Sequence, residues 1–132
     1  MPEERDYSHR SLVDKLGVKA GLRFYVRGVD ATVVRALGAA AGTAAAKTLR
    51  GTFDLILLHV DSPKDLGAIA GLATHLEPAG GLWIFHPKGK GASPSDGQVR
   101  AAGIAAGLVD NKVCAFNDTH TATRYVIPRA KR

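Results

Sequence analysis

Apolar residues along the chain occur in short blocks that predict three buried strands. Residues 54–60 read DLILLHV, an apolar run without alternation that is typical of a strand covered on both faces. Two shorter runs rich in β-forming residues, Leu22–Val26 and Leu82–Phe85, predict further strands. Helical segments separate the three runs, and this order favours a parallel sheet.

Four other segments carry apolar residues at helical spacing behind a residue suited to capping a helix. The first helix runs from Ser8 to Leu16 and has an apolar face of Leu12, Val13 and Leu16. The second begins at the cap Asp30, with an apolar face of Val33, Val34 and Leu37, and the third begins at Ser62-Pro63 and Asp65, with an apolar face of Leu66, Ile69, Ala70, Ala73 and Leu76. The fourth begins at Ser95 and Gln98 and reaches about Ala106. We expect Gly17 and Gly107 to end the first and last helices. We expect Pro78 and Gly80-Gly81 to end the third.

Two parts of the chain carry weaker patterns. Residues 36–46 are nearly all small and suit either a helix end or a loop, so the structure of residues 36–52 stays open. Within them, Ala46–Leu49 suits a short edge strand. His86–Gly91 is predicted to be a loop.

The C-terminal part of the chain predicts an antiparallel hairpin. Lys112–Phe116 and Thr123–Ile127 are strand-like, and the polar stretch Asn117–Ala122 joins them. The predicted fold is therefore a compact Rossmann-like α/β domain, with a mostly parallel sheet, helices on both faces and a C-terminal antiparallel hairpin. We expect one domain over residues 1–132, with residues 1–6 and 129–132 as flexible tails.

Composition narrows the class of protein. The 132 residues are 45% hydrophobic and 23% charged, as in soluble globular proteins, and no apolar run approaches the ~18 residues of a membrane span. The start of the chain lacks the apolar segment of a signal peptide, so we expect a cytoplasmic protein with no membrane partner. The single cysteine, Cys114, excludes an internal disulfide and is expected to be a buried, inert thiol.

The net charge of +6 suggests polyanions as weak partners. The basic residues are spread evenly, and no helix or strand shows a basic stripe with interleaved aromatics. Nucleic acid is therefore only a weak, salt-sensitive candidate partner.

Several stretches resemble known families. FDLILLHV, LEPAGGLWIF, GLVDNKVCAF and TRYVIP, over residues 53–128, look like the second half of class I S-adenosylmethionine-dependent methyltransferases. More specifically, YSHRSLVDKLG, FDLILLHV, GGLWI..PK and GLVDNKVCA resemble a small uncharacterised bacterial family, known only as a domain of unknown function. This second resemblance spans nearly the whole chain and implies a reduced methyltransferase-like fold without an assigned activity.

The first half of the chain departs from the methyltransferase pattern. The cofactor needs a glycine-rich turn after the first strand, and here the turn is Arg27-Gly28-Val29-Asp30, with one glycine. It also needs a carboxylate at the end of the second strand for the ribose hydroxyls. Residues 31–53 contain no Asp or Glu. S-adenosylmethionine is therefore disfavoured as a cofactor.

Chemistry-bearing residues concentrate after the predicted strands. Ligands of open parallel sheets bind outside the carboxyl ends of the strands, so this edge is where we place the site. The candidate ligand-binding residues are Arg27, Gly28, Asp30, His59, Asp61, His86, Lys88 and Lys90.

Three chemistries are open at this edge. Basic residues and helix N-termini favour an anionic ligand. His59 with Asp61, two positions apart on a strand, suits acid/base work. His59, Asp61 and His86 are zinc-type ligands, but no short metal signature supports them, and we predict no metal. Each of these residues also has a purely structural explanation, such as a satisfied strand histidine or a helix-start aspartate.

The sequence therefore favours a non-catalytic domain that binds a small anionic ligand, a nucleotide or a protein partner at the carboxyl edge of the sheet. The alternative is an S-adenosylmethionine-dependent methyltransferase of unknown substrate.

Overall fold

The computed structural model describes residues 12–132, which form a five-stranded sheet with helices on both faces. In chain order, the elements are a helix over residues 12–16 (α1), β1 (Phe24–Arg27), α2 (Ala31–Ala41), β2 (Phe53–His59), a 3₁₀ turn (Pro63–Gly67), α3 (Ala68–Ala73), β3 (Leu76–Pro87), α4 (Asp96–Ala105), β4 (Val109–Ala115), β5 (His120–Val126) and a 3₁₀ turn (Arg129–Lys131). The predicted cap Ser8 lies outside the described residues. None of the helices in residues 12–132 is long and apolar enough to cross a membrane.

The strand order is β1-β2-β3-β5-β4. β1, β2 and β3 pair in parallel, whereas β5 lies antiparallel to both of its neighbours, β3 and β4. Four of the five strands therefore point the same way. This arrangement confirms the predicted α/β fold with its mostly parallel sheet and C-terminal hairpin. It also brings the first residue of β5 to the edge where β2 and β3 end.

β2 is the centre of the core, as its unbroken apolar run predicts. Leu55 and Leu57 pack on one face of the sheet with residues of α1 and α2. Ile56 and Leu58 pack on the other face with residues of α3 and α4. All four side chains are at most 3% exposed, which confirms a strand covered on both sides.

Helix caps follow the sequence signals. Asp30 accepts a hydrogen bond from the Thr32 amide at 3.3 Å and begins α2. Ser95 and Gln98 cap α4 reciprocally, with bonds of 2.8 and 3.2 Å. Gly107 follows α4 with a φ of +85°, where a residue with a Cβ would be strained.

One predicted element is wrong and another is shorter than predicted. Ala46–Leu49 is not a strand, because only the Ala46 amide bonds to β1, at the Phe24 carbonyl, and the neighbouring residues turn away. The third helix stops at Ala73, after a 3₁₀ first turn, so Leu76 belongs to β3. The buried face of this helix also differs from the predicted one. Ile69 and Leu72 are buried, and Ala70 is exposed.

The predicted turn at Pro78 and Gly80-Gly81 is also wrong, because all three residues lie inside β3. β2 and β3 change register here, between the pairs Phe53–Leu76 and Leu55–Gly81. A Cβ at Gly80 would lie 2.9 Å from the Phe53 carbonyl oxygen. The glycine therefore serves a close approach of two strands rather than a change of direction.

Candidate functional site

A shallow groove of about 400 Å³ lies where β1 and β2 end. Parallel pairing sets Arg27 of β1 beside Leu58 of β2, so both strands finish at the same edge of the sheet. The 3₁₀ turn that follows β2 closes one side. The lining residues are Arg27, Gly28, Leu58, His59, Asp61, Lys64, Asp65 and Ala68.

Gly28 forms the turn that leaves β1. Its φ is +73°, and a Cβ at this position would lie 3.4 Å from the Cβ of His59. The backbone of the first turn thus lies directly against the end of β2. Arg27 and Asp30 flank it and are exposed, and the carboxylate of Asp30 is bonded to the start of α2.

The two carboxylates in the groove differ in their surroundings. Asp65 accepts hydrogen bonds from the amides of Asp61 and Ser62, at 2.9 and 3.1 Å. The bond from Asp61 is the largest of the effects that lower the pKa of Asp65. Asp65 therefore holds the start of the turn. The side chain of Asp61 is 68% exposed and faces solvent.

Asp61 bridges two histidines, and we call these three residues the His–Asp–His cluster (His59, Asp61 and His120). Its Oδ2 lies 3.3 Å from Nδ1 of His59, and its Oδ1 lies 2.9 Å from Nε2 of His120. The two imidazole rings have centroids 4.5 Å apart. The side chains of His59 and His120 are only 21% and 12% exposed, so the sheet edge holds both rings.

His120 is the site residue that sequence reasoning missed. It lies 59 positions from Asp61 along the chain, at the tip of the predicted hairpin. The usable signal was the antiparallel direction of the last strand. A strand that runs against its parallel neighbours begins at the edge where they end.

His86 stands apart from the other candidate residues. β2 and β3 pair His59 with Phe85, so the next residue, His86, points to the opposite face of the sheet. Its ring is buried, with Nε2 2.8 Å from the hydroxyl of Thr123, and Nδ1 has no hydrogen-bond partner in the described chain. The zinc hypothesis requires His86 to lie beside His59 and Asp61, and the structure does not bring these three residues together.

Burial is the main cause that lowers the pKa of His86, and the nearby Asp96 carboxylate offsets part of the effect. The ring borders a second, smaller cavity of about 170 Å³, between α4 and the hairpin. Burial also raises the pKa of Tyr125, in the same cavity, to about 12. Neutral forms of both side chains are therefore favoured there.

Lys88 and Lys90 occupy the exposed loop after β3. The amide of Lys88 donates to the Thr119 carbonyl at 3.0 Å, which ties this loop to the turn before β5. Lys88 thus lies beside the start of β5, and neither lysine lines the groove.

No protein-family model matches the sequence, and no curated protein matches it. Solved structures with a similar fold include several methyltransferases. A SAM-dependent methyltransferase from Aquifex aeolicus aligns with a TM-score of 0.68 and 14% identity, over 91% of this chain and 89% of that one. Magnesium protoporphyrin IX methyltransferase from Synechocystis, with bound SAM, aligns with a TM-score of 0.63 and 10% identity, over 94% of this chain and 80% of that one.

A third structure, mitomycin 7-O-methyltransferase, gives a TM-score of 0.70 at 11% identity, over 92% of this chain and 53% of that one. Identities this low establish the fold alone. The chain therefore has the compact, Rossmann-like fold of class I methyltransferases, as its sequence resemblance implied.

The groove meets only part of what S-adenosylmethionine requires. Gly28 supplies a turn after β1 without a side chain, which suits a close approach of the methionine part. A ribose carboxylate is missing, because β1 is the edge strand of the described sheet and residues 31–53 contain no Asp or Glu. The residues present therefore suit the methionine end of the cofactor better than its ribose end, although the turn has one glycine in place of a glycine-rich run.

Proposed function

We propose that the protein is an S-adenosylmethionine-binding domain with a methyltransferase fold, and that the groove at Gly28 and His59 is its ligand site. The observation that carries this proposal is the fold, which the chain shares with methyltransferases over more than nine-tenths of its length. In open sheets of this kind, ligands bind at the carboxyl ends of the strands. The groove lies at that edge.

The chemistry of the groove adds support from the residues themselves. Methyl transfer to an O–H or N–H nucleophile releases a proton, and His59 beside Asp61 is placed to take it up. Asp61 is the only carboxylate of the groove lining that is not bonded to backbone amides in the described structure. Since the usual ribose carboxylate is missing, we expect affinity below that of intact methyltransferases.

Isothermal titration calorimetry with S-adenosylmethionine and its demethylated product tests the proposal. We expect one saturable site for both ligands, with amide chemical-shift changes centred on Gly28 and His59 in NMR spectra. A chelator in the buffer keeps metal binding out of the measurement. If neither ligand produces heat at millimolar concentration, the domain does not use this cofactor.

A second candidate function is non-catalytic binding of a small anion, nucleotide or acidic partner at the same edge. Its support is the missing ribose carboxylate, together with the cations around the groove. Arg27 and Lys64 line it, and Lys88 and Lys90 stand in the neighbouring loop. Lysine and arginine at such positions bind phosphates and carboxylates.

A charge-matched pair of variants separates this candidate from weak association with any polyanion. Lys88→Glu with Lys90→Glu reverses two charges at the carboxyl edge, and Lys19→Glu with Lys47→Glu reverses two exposed charges elsewhere. With ADP and pyrophosphate as probes, only the first pair is expected to weaken binding. Equal losses in both pairs would show that net charge alone drives the association.

A further inference from the structure

We propose that the His–Asp–His cluster is a binding site for a divalent transition metal, with zinc the best match. Two imidazole nitrogens and one carboxylate oxygen are the ligand types that zinc and related metals prefer. One donor atom from each of His59, Asp61 and His120 lies within 4.8 Å of the other two. This site shares His59 and Asp61 with the groove proposed for the cofactor, but it carries a different ligand chemistry and is tested separately.

The spacing of the donor atoms agrees with a shared metal. Two ligand atoms bound to zinc at about 2.0–2.1 Å and a tetrahedral angle lie roughly 3.3 Å apart. Nδ1 of His59 lies 3.3 Å from one Asp61 oxygen, and Nε2 of His120 lies 2.9 Å from the other. The two histidine nitrogens lie within 4.8 Å of each other, so small rotations of the exposed carboxylate and of the imidazole rings are needed to direct all three donors at one point.

The fold holds the two histidines rigidly. His59 is the last residue of β2 and His120 is the first residue of β5, on either side of β3. Alternation along the strands sets His59 with Leu57 and His120 with Ala122, on the same face of the sheet. Because both rings are largely buried and fixed by backbone ladders, the ligands need little ordering when a metal binds.

Hydrogen bonds through Thr119 and Asn117 orient His120. Its Nδ1 lies 2.8 Å from the hydroxyl of Thr119, and that hydroxyl lies 3.1 Å from Oδ1 of Asn117. When Nδ1 carries the proton and donates it to Thr119, the lone pair of Nε2 faces Asp61. Metal-binding histidines are commonly held in this way by a partner on the other ring nitrogen.

The cluster provides three protein ligands and an open side. Structural zinc sites close around the metal with four protein ligands, whereas sites with three leave a position for water or substrate. The 68% exposure of Asp61 keeps that position accessible from the groove. The site therefore suits a metal that polarises a bound molecule better than a metal that only stabilises the fold.

Metal binding can be measured directly on the chelator-stripped protein. We expect calorimetry with Zn²⁺ to give one equivalent, and Co²⁺ to give visible absorption bands of a site with nitrogen and oxygen ligands. His59→Gln, Asp61→Asn and His120→Gln should each weaken Zn²⁺ binding by at least the roughly 10–100-fold that loss of a ligand's hydrogen-bond partner costs, since each removes one of three ligands. His75→Gln, a histidine outside the cluster, should bind as the wild type does.

A further variant tests the assigned geometry rather than the presence of histidines. Thr119→Val removes the partner of Nδ1 and should weaken Zn²⁺ binding by about 10-fold while leaving the thermal midpoint close to wild type. Circular dichroism melts establish that every variant is folded. An absence of saturable Zn²⁺ or Co²⁺ binding, or equal affinity in wild type and the three ligand variants, overturns the proposal. Neither result bears on S-adenosylmethionine, whose binding is measured with chelator present.

Discussion

The imidazole of His86 is hydrogen-bonded to the hydroxyl of Thr123, 2.8 Å away, on the face of the sheet opposite to His59. Two histidines at the ends of adjacent strands thus lie in different surroundings. His59 stands at the open groove with Asp61. His86 is 3% exposed, and burial favours its neutral form.

This burial predicts loss of stability in mild acid. Because the pKa of His86 is lowered from its ordinary 6.5, the unfolded chain takes up a proton at a pH where the folded chain does not. This proton uptake does not affect the free energy of unfolding well above pH 6.5, and it lowers that free energy as the pH falls below 6.5. Urea unfolding from pH 8 to pH 5 should show a smaller decline for His86→Gln than for wild type.

His75→Gln is the matched control, since His75 bonds to the Gly51 carbonyl away from this cavity. The control should decline with acid as the wild type does. If His86→Gln and wild type lose stability in parallel, the buried histidine is not the acid-sensitive group.

Gly28 and Gly17 allow the proposed ligand groove to be tested apart from backbone strain. Both have a φ of +73°, so alanine at either position should cost about 1–2 kcal/mol of unfolding free energy. Only at Gly28 would the new Cβ stand against His59, whereas Gly17 has open space around it. Calorimetry should therefore show weaker S-adenosylmethionine binding for Gly28→Ala and unchanged binding for Gly17→Ala. Equal binding by the two variants would place the ligand elsewhere.

The fold could be predicted from the sequence because its strongest signals are local. The apolar run of β2, the capping residues Asp30 and Ser95, and the polar stretch before β5 each fix one element through nearby residues. These elements suffice to predict an α/β fold with a mostly parallel sheet and a C-terminal hairpin. Short-range patterns did not reveal Gly80 as a strand residue, because the reason for that glycine is a carbonyl of β2, 27 positions earlier.

The site was only partly predictable for a related reason. The rule that ligands lie at the carboxyl edge selected Gly28, His59 and Asp61, and the structure places these three residues around one groove. It could not separate His59 from His86, since the face of each side chain depends on the register between β2 and β3. It also left out His120, which joins the cluster only because β5 runs antiparallel.

Gly103 and Gly97 in α4 predict opposite effects of the same substitution. A Cβ at Gly103 would lie 2.5 Å from the ring of Tyr125, which is 2% exposed. Gly103→Ala should therefore destabilise the protein by about 1–3 kcal/mol in urea unfolding. At Gly97 the nearest atom is the Ser95 hydroxyl, at 3.9 Å, so Gly97→Ala should stabilise the helix by up to about 1 kcal/mol. Two changes of the same sign would contradict this packing of α4 on β5.

Cys114 provides a chemical test of burial in the hairpin. Its side chain is half-buried on the face that carries α1 and α2, and burial raises the pKa of the thiol. Since the thiolate is the reactive form, iodoacetamide at pH 8 should alkylate the folded protein far more slowly than it alkylates free glutathione. The rate should rise to that of an ordinary thiol in urea.

The reaction can be followed by mass spectrometry, because Cys114 is the only cysteine in the chain and each protein molecule takes up one label. Cys114→Ser should remain unlabelled under both conditions. Val113, the preceding residue on β4, is 61% exposed and points away from this core. Cysteine at that position in the Cys114→Ser background should react at nearly the rate of free glutathione. Equal rates at positions 113 and 114 in the folded protein would contradict the alternation of β4 on which the assignment of its inner face depends.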